Sequence, residues 1–167
     1  NKIKGNRMKD YIKLLRVKHY IKNLLVFVPL FFAGELFSKD TIVNAILGFV
    51  SFCIIASAVY IINDICDVEK DKLHPRKKNR PIASGKISKN KAIITMLICV
   101  LISIFILISL NSIKGIICIF LYFSVNMAYS FGLKNKPIID IVLLAFGFVI
   151  RIIYGGCITG VEVSTWM

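Results

Sequence analysis

Three long uncharged runs constrain this chain more than any other feature of its sequence. Residues 41–62 and 92–113 are each 22 residues without a charged side chain, and residues 115–133 add a run of 19. An α-helix needs about 20 mostly apolar residues to cross the hydrocarbon core of a bilayer. Helices are favoured over strands because an unpaired strand would leave its backbone hydrogen bonds unmade in lipid. The three runs therefore predict membrane-spanning helices.

Two weaker stretches, residues 23–38 and 138–159, bring the predicted number of spans to five. The stretch over residues 138–159 contains Arg151. A charged side chain within a span costs enough free energy that it generally faces a cavity or a partner. Apolar side chains recur at helical spacing before the first span and predict an interfacial amphipathic turn there: Met8, Tyr11, Ile12 and Leu15. The predicted fold class is an all-α polytopic transmembrane helix bundle, with residues 1–167 forming one membrane domain.

The distribution of charge predicts how the bundle is oriented. The 22 Lys and Arg outnumber the nine Asp and Glu, and 19 of them fall in alternate segments: residues 1–22, residues 70–91 and residues 134–136. By the positive-inside rule, the N-terminus and the loop over residues 63–91 face the cytoplasm of a cell membrane. Topology thus explains most of the net charge of +13, and no nucleic-acid partner is expected. The five cysteines occur singly, which is typical of buried thiols rather than of disulfides or zinc ligands.

Four of the nine acidic residues are concentrated in residues 63–71. If the second span continues as a helix, one face carries a stripe at i, i+4, i+7 and i+11: Tyr60, Asp64, Asp67 and Asp71. Stacked carboxylates repel each other and favour a cation between them. Oxygen ligands without His or Cys suit Mg²⁺, which often bridges carboxylates to phosphates. Basic residues that could bind those phosphates lie nearby: Lys18, Lys22, Lys72, Arg76, Lys77, Lys78 and Arg80.

A simpler interpretation of the same residues stays open at this point. Acidic residues beside a Lys-rich loop also occur as solvated salt bridges at helix ends. In that case Asn63 caps a helix end, Tyr60 is an interfacial aromatic residue, and Lys18 and Lys22 are topological anchors. Spacing alone does not distinguish this interpretation from a metal–diphosphate site.

The run Asn63–Asp71, which reads NDxxDxxxD, resembles the first aspartate-rich motif of the UbiA-type membrane prenyltransferases. The following HPRKKNRPIASGKIS over residues 74–88 is also similar to that family. Residues 14–34 and 140–160 look like its polyprenyl-phosphate phosphoribosyltransferase branch. The resemblance implies a bundle of nine helices with a second polar motif after the sixth. This chain is therefore expected to be an N-terminal fragment that is inactive alone.

The resemblance also implies an activity, the Mg²⁺-dependent transfer of 5-phosphoribosyl from phosphoribosyl diphosphate to a polyprenyl phosphate in the lipid bilayer, releasing diphosphate. Catalysis would depend on Asp64 and Asp67. The implied metal ligands are Asn63, Asp64, Asp67 and Asp71. The implied substrate contacts are Lys22, Tyr60, Lys77, Arg80, Tyr129 and Lys134, with Lys136 in the same loop as the last of these. Two alternatives remain: prenyl transfer from a prenyl diphosphate to an aromatic or glycerol-phosphate acceptor, and a non-enzymatic transporter or scaffold half.

Overall fold

The structure, a computed structural model, describes residues 2–34, 38–132 and 137–161. These residues form helices and connecting turns, with no strand in the described part. The α-helices, in chain order, are α1 (Lys2–Leu15), α2 (Val28–Ala33), α3 (Lys39–Cys66), α4 (Val68–Leu73), α5 (Lys89–Ser109), α6 (Ile113–Phe131) and α7 (Pro137–Thr159). A 3-10 helix over Val17–Phe27 joins α1 to α2, and a short one over Lys77–Asn79 lies between α4 and α5.

Four of these helices, α3, α5, α6 and α7, are long and apolar enough to cross a membrane. They confirm the second to fifth predicted spans. Large apolar side chains cover their outer faces; on α5, for example, Leu101 is 67% exposed and Phe105 is 69% exposed. Such a surface is tolerable in lipid and not in water, so the chain is part of an integral membrane protein.

The first predicted span, residues 23–38, is not one α-helix. The 3-10 helix continues to Phe27, the six-residue α2 follows, and residues 35–37 lie outside the described residues. A 3-10 helix rises about 2.0 Å per residue, so the 11 residues of Val17–Phe27 extend over about 22 Å. Because a 3-10 helix is longer per residue than an α-helix, this short segment runs along much of α3. The number of residues alone did not predict this length.

The 3-10 helix lies antiparallel to α3. The hydroxyl groups of Tyr20 and Ser57 are 2.8 Å apart, and Nδ2 of Asn23 donates to Sγ of Cys53 over 3.2 Å. Three residues per turn place Tyr20, Asn23 and Val26 on one edge of the segment. Asn23 and Val26 on this edge are 2% and 0% exposed.

Helix α3 is the centre of the bundle and packs against α5, α6, α7 and the 3-10 helix. Ser51 on α3 and Ser103 on α5 bond reciprocally, each hydroxyl to the other's backbone carbonyl, at 3.1 and 3.2 Å. Small polar residues of this kind let two membrane helices approach closely. On the other side of α3, the ring of Phe52 lies 4.9 Å from that of Tyr122 on α6 and 5.0 Å from that of Tyr154 on α7.

The end of the bundle where α3 and α6 end and α5 and α7 begin is called the loop end. Helix α1 packs there through Leu14, which is fully buried in an apolar cluster with Ile61, Val68, Ile82, Ile87 and Ala92. The predicted amphipathic segment is thus helical, but its four apolar residues do not share one environment. Tyr11 and Leu15 pack against this cluster, whereas Met8 is 67% exposed and Ile12 is 49% exposed.

Candidate functional site

The segment between α4 and α5 is folded tightly against the loop end. Its turns are closed by hydrogen bonds from the Ser84 amide to the Arg80 carbonyl, at 2.9 Å, and from the Ile87 amide to the Pro81 carbonyl, at 3.0 Å. Gly85 has φ of +74°, a conformation that glycine adopts without the strain a side chain would bring. The buried side chain of Ile87, 4% exposed, anchors the segment. This fold directs Arg80 towards the end of α3.

The acidic motif does not form one continuous helix. Helix α3 ends at Cys66, and Asp67, with φ of −93° and ψ of 4°, separates it from α4. The Asp67 amide still bonds to the Asn63 carbonyl, at 3.0 Å, so the chain turns sharply rather than unwinding. The predicted stripe over 60–71 is therefore wrong in its helical continuity, and the break brings Asp64 and Asp71 together.

Asp64 and Asp71 are both 2% exposed, and both accept hydrogen bonds from Arg80. Arg80 Nη1 lies 3.1 Å from Oδ1 of Asp64 and 2.7 Å from Oδ2 of Asp71. Arg16 Nη2 forms a second ion pair with Oδ1 of Asp64, at 2.5 Å. These four residues are called the ion-pair cluster. It ties together the end of α1, the end of α3, α4 and the loop before α5 through charge-assisted hydrogen bonds, which are about twice as strong as neutral ones.

The ion-pair cluster bears on both interpretations of the acidic motif. A cation does lie between the carboxylates, as their repulsion requires, but it is the guanidinium of Arg80. Within residues 2–34, 38–132 and 137–161, no three His, Cys, Asp or Glu side chains are grouped to hold a metal ion. The interpretation as solvated salt bridges fails for Asp64 and Asp71, which are buried, and fits Glu69 and Lys72, whose exposed pair is 3.0 Å long.

Arg16 also connects the ion-pair cluster to Tyr60. Its guanidinium carbon lies 4.7 Å from the centre of the Tyr60 ring, in a cation–π contact, and the His19 ring meets the same tyrosine edge-on at 5.6 Å. The backbone of Arg16 adopts φ of +52°, which is uncommon for a residue with a side chain. The bonds of its side chain to Asp64 and Tyr60 hold this conformation at the junction of α1 and the 3-10 helix.

A cavity of about 190 Å³ lies between the 3-10 helix, α3, α6 and α7. Two predicted substrate contacts, Lys22 and Tyr60, both line this cavity. They are 38 positions apart in the sequence, so their spacing alone did not predict that they would lie together. The last predicted span contributes Arg151, which is 8% exposed and faces the cavity as expected. The described residues that place polar side chains around this cavity are Lys22, Tyr60, Tyr122, Asn126, Asp140 and Arg151.

A second cavity, of about 430 Å³, lies on the other side of Arg16 at the loop end. Five of the seven described residues that line it are basic or histidine: Lys13, Arg16, Lys18, His19 and Arg80. Burial, and then the positive charges of Arg16 and Lys22, lower the pKa of His19 below its usual value of 6.5. This cavity is therefore a cationic surface that adjoins the ion-pair cluster.

The remaining predicted site residues are more dispersed. Asn63 is half-buried one turn before Asp67, and Lys77 is exposed in the short 3-10 helix after α4. The Tyr129 hydroxyl donates to Oδ1 of Asp140 over 2.5 Å, and Tyr129 lies near enough to Asp67 to interact with its charge. Lys134 and Lys136 lie outside the described residues.

Sequence reasoning missed several residues of the site, and Arg16 and Asp140 show why. Arg16 is one of eight basic residues in the first 22, and nothing in its spacing marks it as the partner of Asp64. Asp140 did carry a signal, because it precedes Arg151 by 11 residues in the same apolar span. That interval is three helical turns, so both lie on one face of α7, and both line the cavity.

These features define the class of the protein, an integral membrane helix bundle with a charged cavity near one end. Comparison with protein families is more specific, because residues 24–167 match the UbiA prenyltransferase family. The chain belongs to this family.

Relatives agree with this assignment, and a solved structure shares the fold. The chain is 37% identical over 158 residues to the decaprenyl-phosphate phosphoribosyltransferase of Corynebacterium glutamicum, covering 93% of this chain and 48% of the relative. It is also 37% identical to the same enzyme of Mycolicibacterium smegmatis, covering 96% of this chain and 52% of the relative. A UbiA homologue from Archaeoglobus fulgidus, solved with DMAPP and Mg²⁺, superposes with a TM-score of 0.80 at 24% identity, over 93% of this chain and 56% of that one. The predicted fold class is confirmed, and the chain spans about half the length of these relatives.

Proposed function

We propose that this chain is part of an Mg²⁺-dependent enzyme that transfers 5-phosphoribosyl from phosphoribosyl diphosphate to a polyprenyl phosphate and releases diphosphate. The identity of 37% to two decaprenyl-phosphate phosphoribosyltransferases supports this choice within the family. Because the chain spans about half of those relatives, the activity is proposed for the whole protein and not for these residues alone.

The observation that carries the proposal is the mixed character of the cavity between the 3-10 helix, α3, α6 and α7. Lys22 and Arg151 give it positive charge, whereas Leu144 and Phe148 form an apolar wall on α7. These two apolar side chains are 59% and 42% exposed, so this wall continues onto the exposed apolar surface of α7. A cavity with cationic and apolar sides suits a substrate that has a phosphate at one end and a long hydrocarbon chain at the other.

The proposed metal ligands fit Mg²⁺ in their chemistry. Asn63, Asp64, Asp67 and Asp71 offer amide and carboxylate oxygens, the donors that this ion prefers. When bound, Mg²⁺ would supply positive charge for the departing diphosphate. Arg80 bonds to one oxygen of Asp64 and one oxygen of Asp71 in the ion-pair cluster, so its positive charge would lie beside the proposed metal ligands.

The chain's own residues supply the other requirements of the reaction. A phosphate monoester loses its second proton near pH 6, so the nucleophile is already anionic and needs no strong general base. Stabilising the leaving group is then the main demand. Lys22, Lys77 and Arg80 would neutralise charge that develops on the diphosphate, with greater effect in a cavity where water is scarce. Tyr60, Tyr129 and Lys134 complete the proposed substrate contacts.

The loop end is proposed to face the cytoplasm, with residues 63–91 as the substrate and metal loop of a single membrane domain in the cell membrane. The basic residues support this orientation, because 17 of the 22 Lys and Arg lie in residues 1–22 and 70–91. The water-soluble phosphoribosyl diphosphate would then enter from the compartment where the ion-pair cluster lies.

The proposal is tested with the full-length protein in isolated membranes. Phosphoribosyl diphosphate labelled in the ribose is supplied with polyprenyl phosphate, and lipid-soluble label is expected only when both substrates and Mg²⁺ are present. Membranes without the protein, and reactions without polyprenyl phosphate, are the controls. Absence of lipid-soluble label, together with transfer from a labelled prenyl diphosphate to an aromatic or glycerol-phosphate acceptor, would replace the proposal with prenyl transfer.

A further inference from the structure

Arg151 is a buried charge with neutral partners. Its Nε donates to Oδ1 of Asn23 over 2.8 Å, and its Nη1 donates to the backbone carbonyl of Gly147 one turn earlier in α7. The guanidinium carbon lies 5.2 Å from the ring centre of Phe52 and 5.6 Å from that of Tyr122, so aromatic faces cover it as well.

No carboxylate pairs with Arg151 in the described part of the chain. The acidic residue that shares its cavity is Asp140, but this lies 11 residues earlier on the same helix, or about 16 Å along the axis. A guanidinium in the interior of a membrane protein costs several kcal/mol unless an anion compensates it. In the described residues, therefore, no anion compensates the positive charge of Arg151, although hydrogen bonds to neutral groups orient its side chain.

Asn23 orients the side chain of Arg151. The Asn23 side chain is 2% exposed, and its Nδ2 donates to Sγ of Cys53 over 3.2 Å. Its amide oxygen accepts from Nε of Arg151, while Nη1 donates to the Gly147 carbonyl. The remaining N–H groups belong to Nη1 and Nη2 of a side chain that lines the cavity. A guanidinium has five N–H donors in a planar fork, and that geometry matches two oxygens of one phosphate.

We infer that Arg151, positioned by Asn23, binds a phosphate monoester at the inner end of the cavity. This inference rests on the proposed function, whose two substrates both carry such a group: the polyprenyl phosphate at its head and phosphoribosyl diphosphate at its ribose 5-position. The site is separate from the proposed metal ligands, because Asn23 pairs with Cys53 and thus lies about 16 Å along α3 from Asp64. The apolar wall at Leu144 and Phe148 would accommodate the hydrocarbon chain if the lipid is the ligand.

The test measures binding to the full-length protein in detergent, with farnesyl phosphate and ribose 5-phosphate as separate probes. Arg151→Gln is expected to raise the Kd of one probe roughly 10- to 100-fold, the loss that follows when a charge-assisted hydrogen bond to phosphate is removed. Arg151→Lys should retain part of the affinity. Lys114→Gln, at the opposite end of α6 and exposed, is the matched control with the same change of charge.

The two probes identify the source of the phosphate. A weakened Kd for farnesyl phosphate assigns the site to the lipid, and a weakened Kd for ribose 5-phosphate assigns it to the soluble substrate. A Kd within twofold of the wild type for both probes would overturn the inference. Because binding needs no turnover, failure of the phosphoribosyl transfer assay leaves this result readable on its own.

A second measurement uses the wild-type protein, in case the Arg151 variants do not fold. Hydrogen exchange of the backbone over residues 147–155 is compared with and without each probe. Farnesyl phosphate or ribose 5-phosphate should slow this exchange, whereas farnesol and ribose, which lack the phosphate, should not. Equal exchange with either phosphate and its parent alcohol would contradict the inference.

Discussion

Replacing Arg80 by glutamine is the sharpest test of the ion-pair cluster. Asp71, which is 2% exposed, would lose the one ion-pair partner it has in the described residues, whereas Asp64 would keep Arg16. Removing one partner of a buried ion pair costs about 3–5 kcal/mol because the other charge stays buried. The Arg80 side chain is itself 23% exposed, so the lower value, about 3 kcal/mol, applies.

Hydrogen exchange in the loop before α5 reports this loss directly. The Ile87 amide bonds to the Pro81 carbonyl at 3.0 Å, and this bond opens when the loop leaves the end of α3. If opening becomes easier by about 3 kcal/mol, the Ile87 amide should exchange roughly 100-fold faster in Arg80→Gln than in the wild type. The measurement uses the full-length protein in detergent at constant pH.

Lys86→Gln is the matched control, because Lys86 lies in the same loop and pairs with Asp10 at the longer distance of 3.6 Å. Lys86 is 52% exposed, so its loss should change the opening free energy by less than about 1 kcal/mol. The double variant Asp71→Asn/Arg80→Gln removes the stranded charge and should exchange more slowly than Arg80→Gln alone. If Arg80→Gln accelerates exchange no more than Lys86→Gln does, the reasoning about buried charge is refuted.

Three other predictions concern the metal, the packing of α7 and a titrating histidine. Asp67→Asn should lower Mg²⁺-dependent turnover by orders of magnitude, measured as the rate of label transfer across a range of Mg²⁺ concentrations, while membrane insertion stays normal. Gly155→Ala should lower the melting temperature, because a methyl group there would overlap the backbone carbonyl of Val26 in the 3-10 helix. His19 should titrate below pH 6.5 in an NMR experiment, and Lys22→Gln should raise its pKa by removing a positive neighbour. Because the pKa of His19 is lower in the folded chain than in the unfolded chain, the unfolded chain binds a proton at a higher pH. Protonation of His19 therefore lowers the free energy of unfolding as the pH falls below 6.5.

Each of these predictions has a control within the chain. Glu69→Gln makes the same chemical change as Asp67→Asn on an exposed side chain and should leave turnover intact; equal losses would remove Asp67 from the metal site. Gly132→Ala adds a methyl group where none of the residues that the structure describes lies within 4 Å, so a melting temperature that falls equally in both would contradict close packing at Gly155. His74→Gln assigns the two histidine signals, and a His19 signal that titrates above 6.5 would exclude the described surroundings.

The spans were predictable because a run of about 20 uncharged residues has few other structures in a membrane. The first span was not, since a 3-10 helix and an α-helix are built from similar residues and differ here through contacts with α3. Arg151 was predictable as a cavity residue because its charge is so costly in a span. Arg80 was placed near the acidic motif by proximity in sequence, but its position between Asp64 and Asp71 depends on the break at Asp67, which no local pattern marks.

The 3-10 winding of Val17–Phe27 makes the length of this segment as important as its composition. Residues 20, 23 and 26 stay on one edge because each turn takes three residues, whereas an α-helix takes 3.6. One inserted residue between 20 and 23 would rotate Asn23 and Val26 by a third of a turn and point them away from α7. Homologous chains are therefore expected to vary in side chains along this segment while keeping its residue count constant.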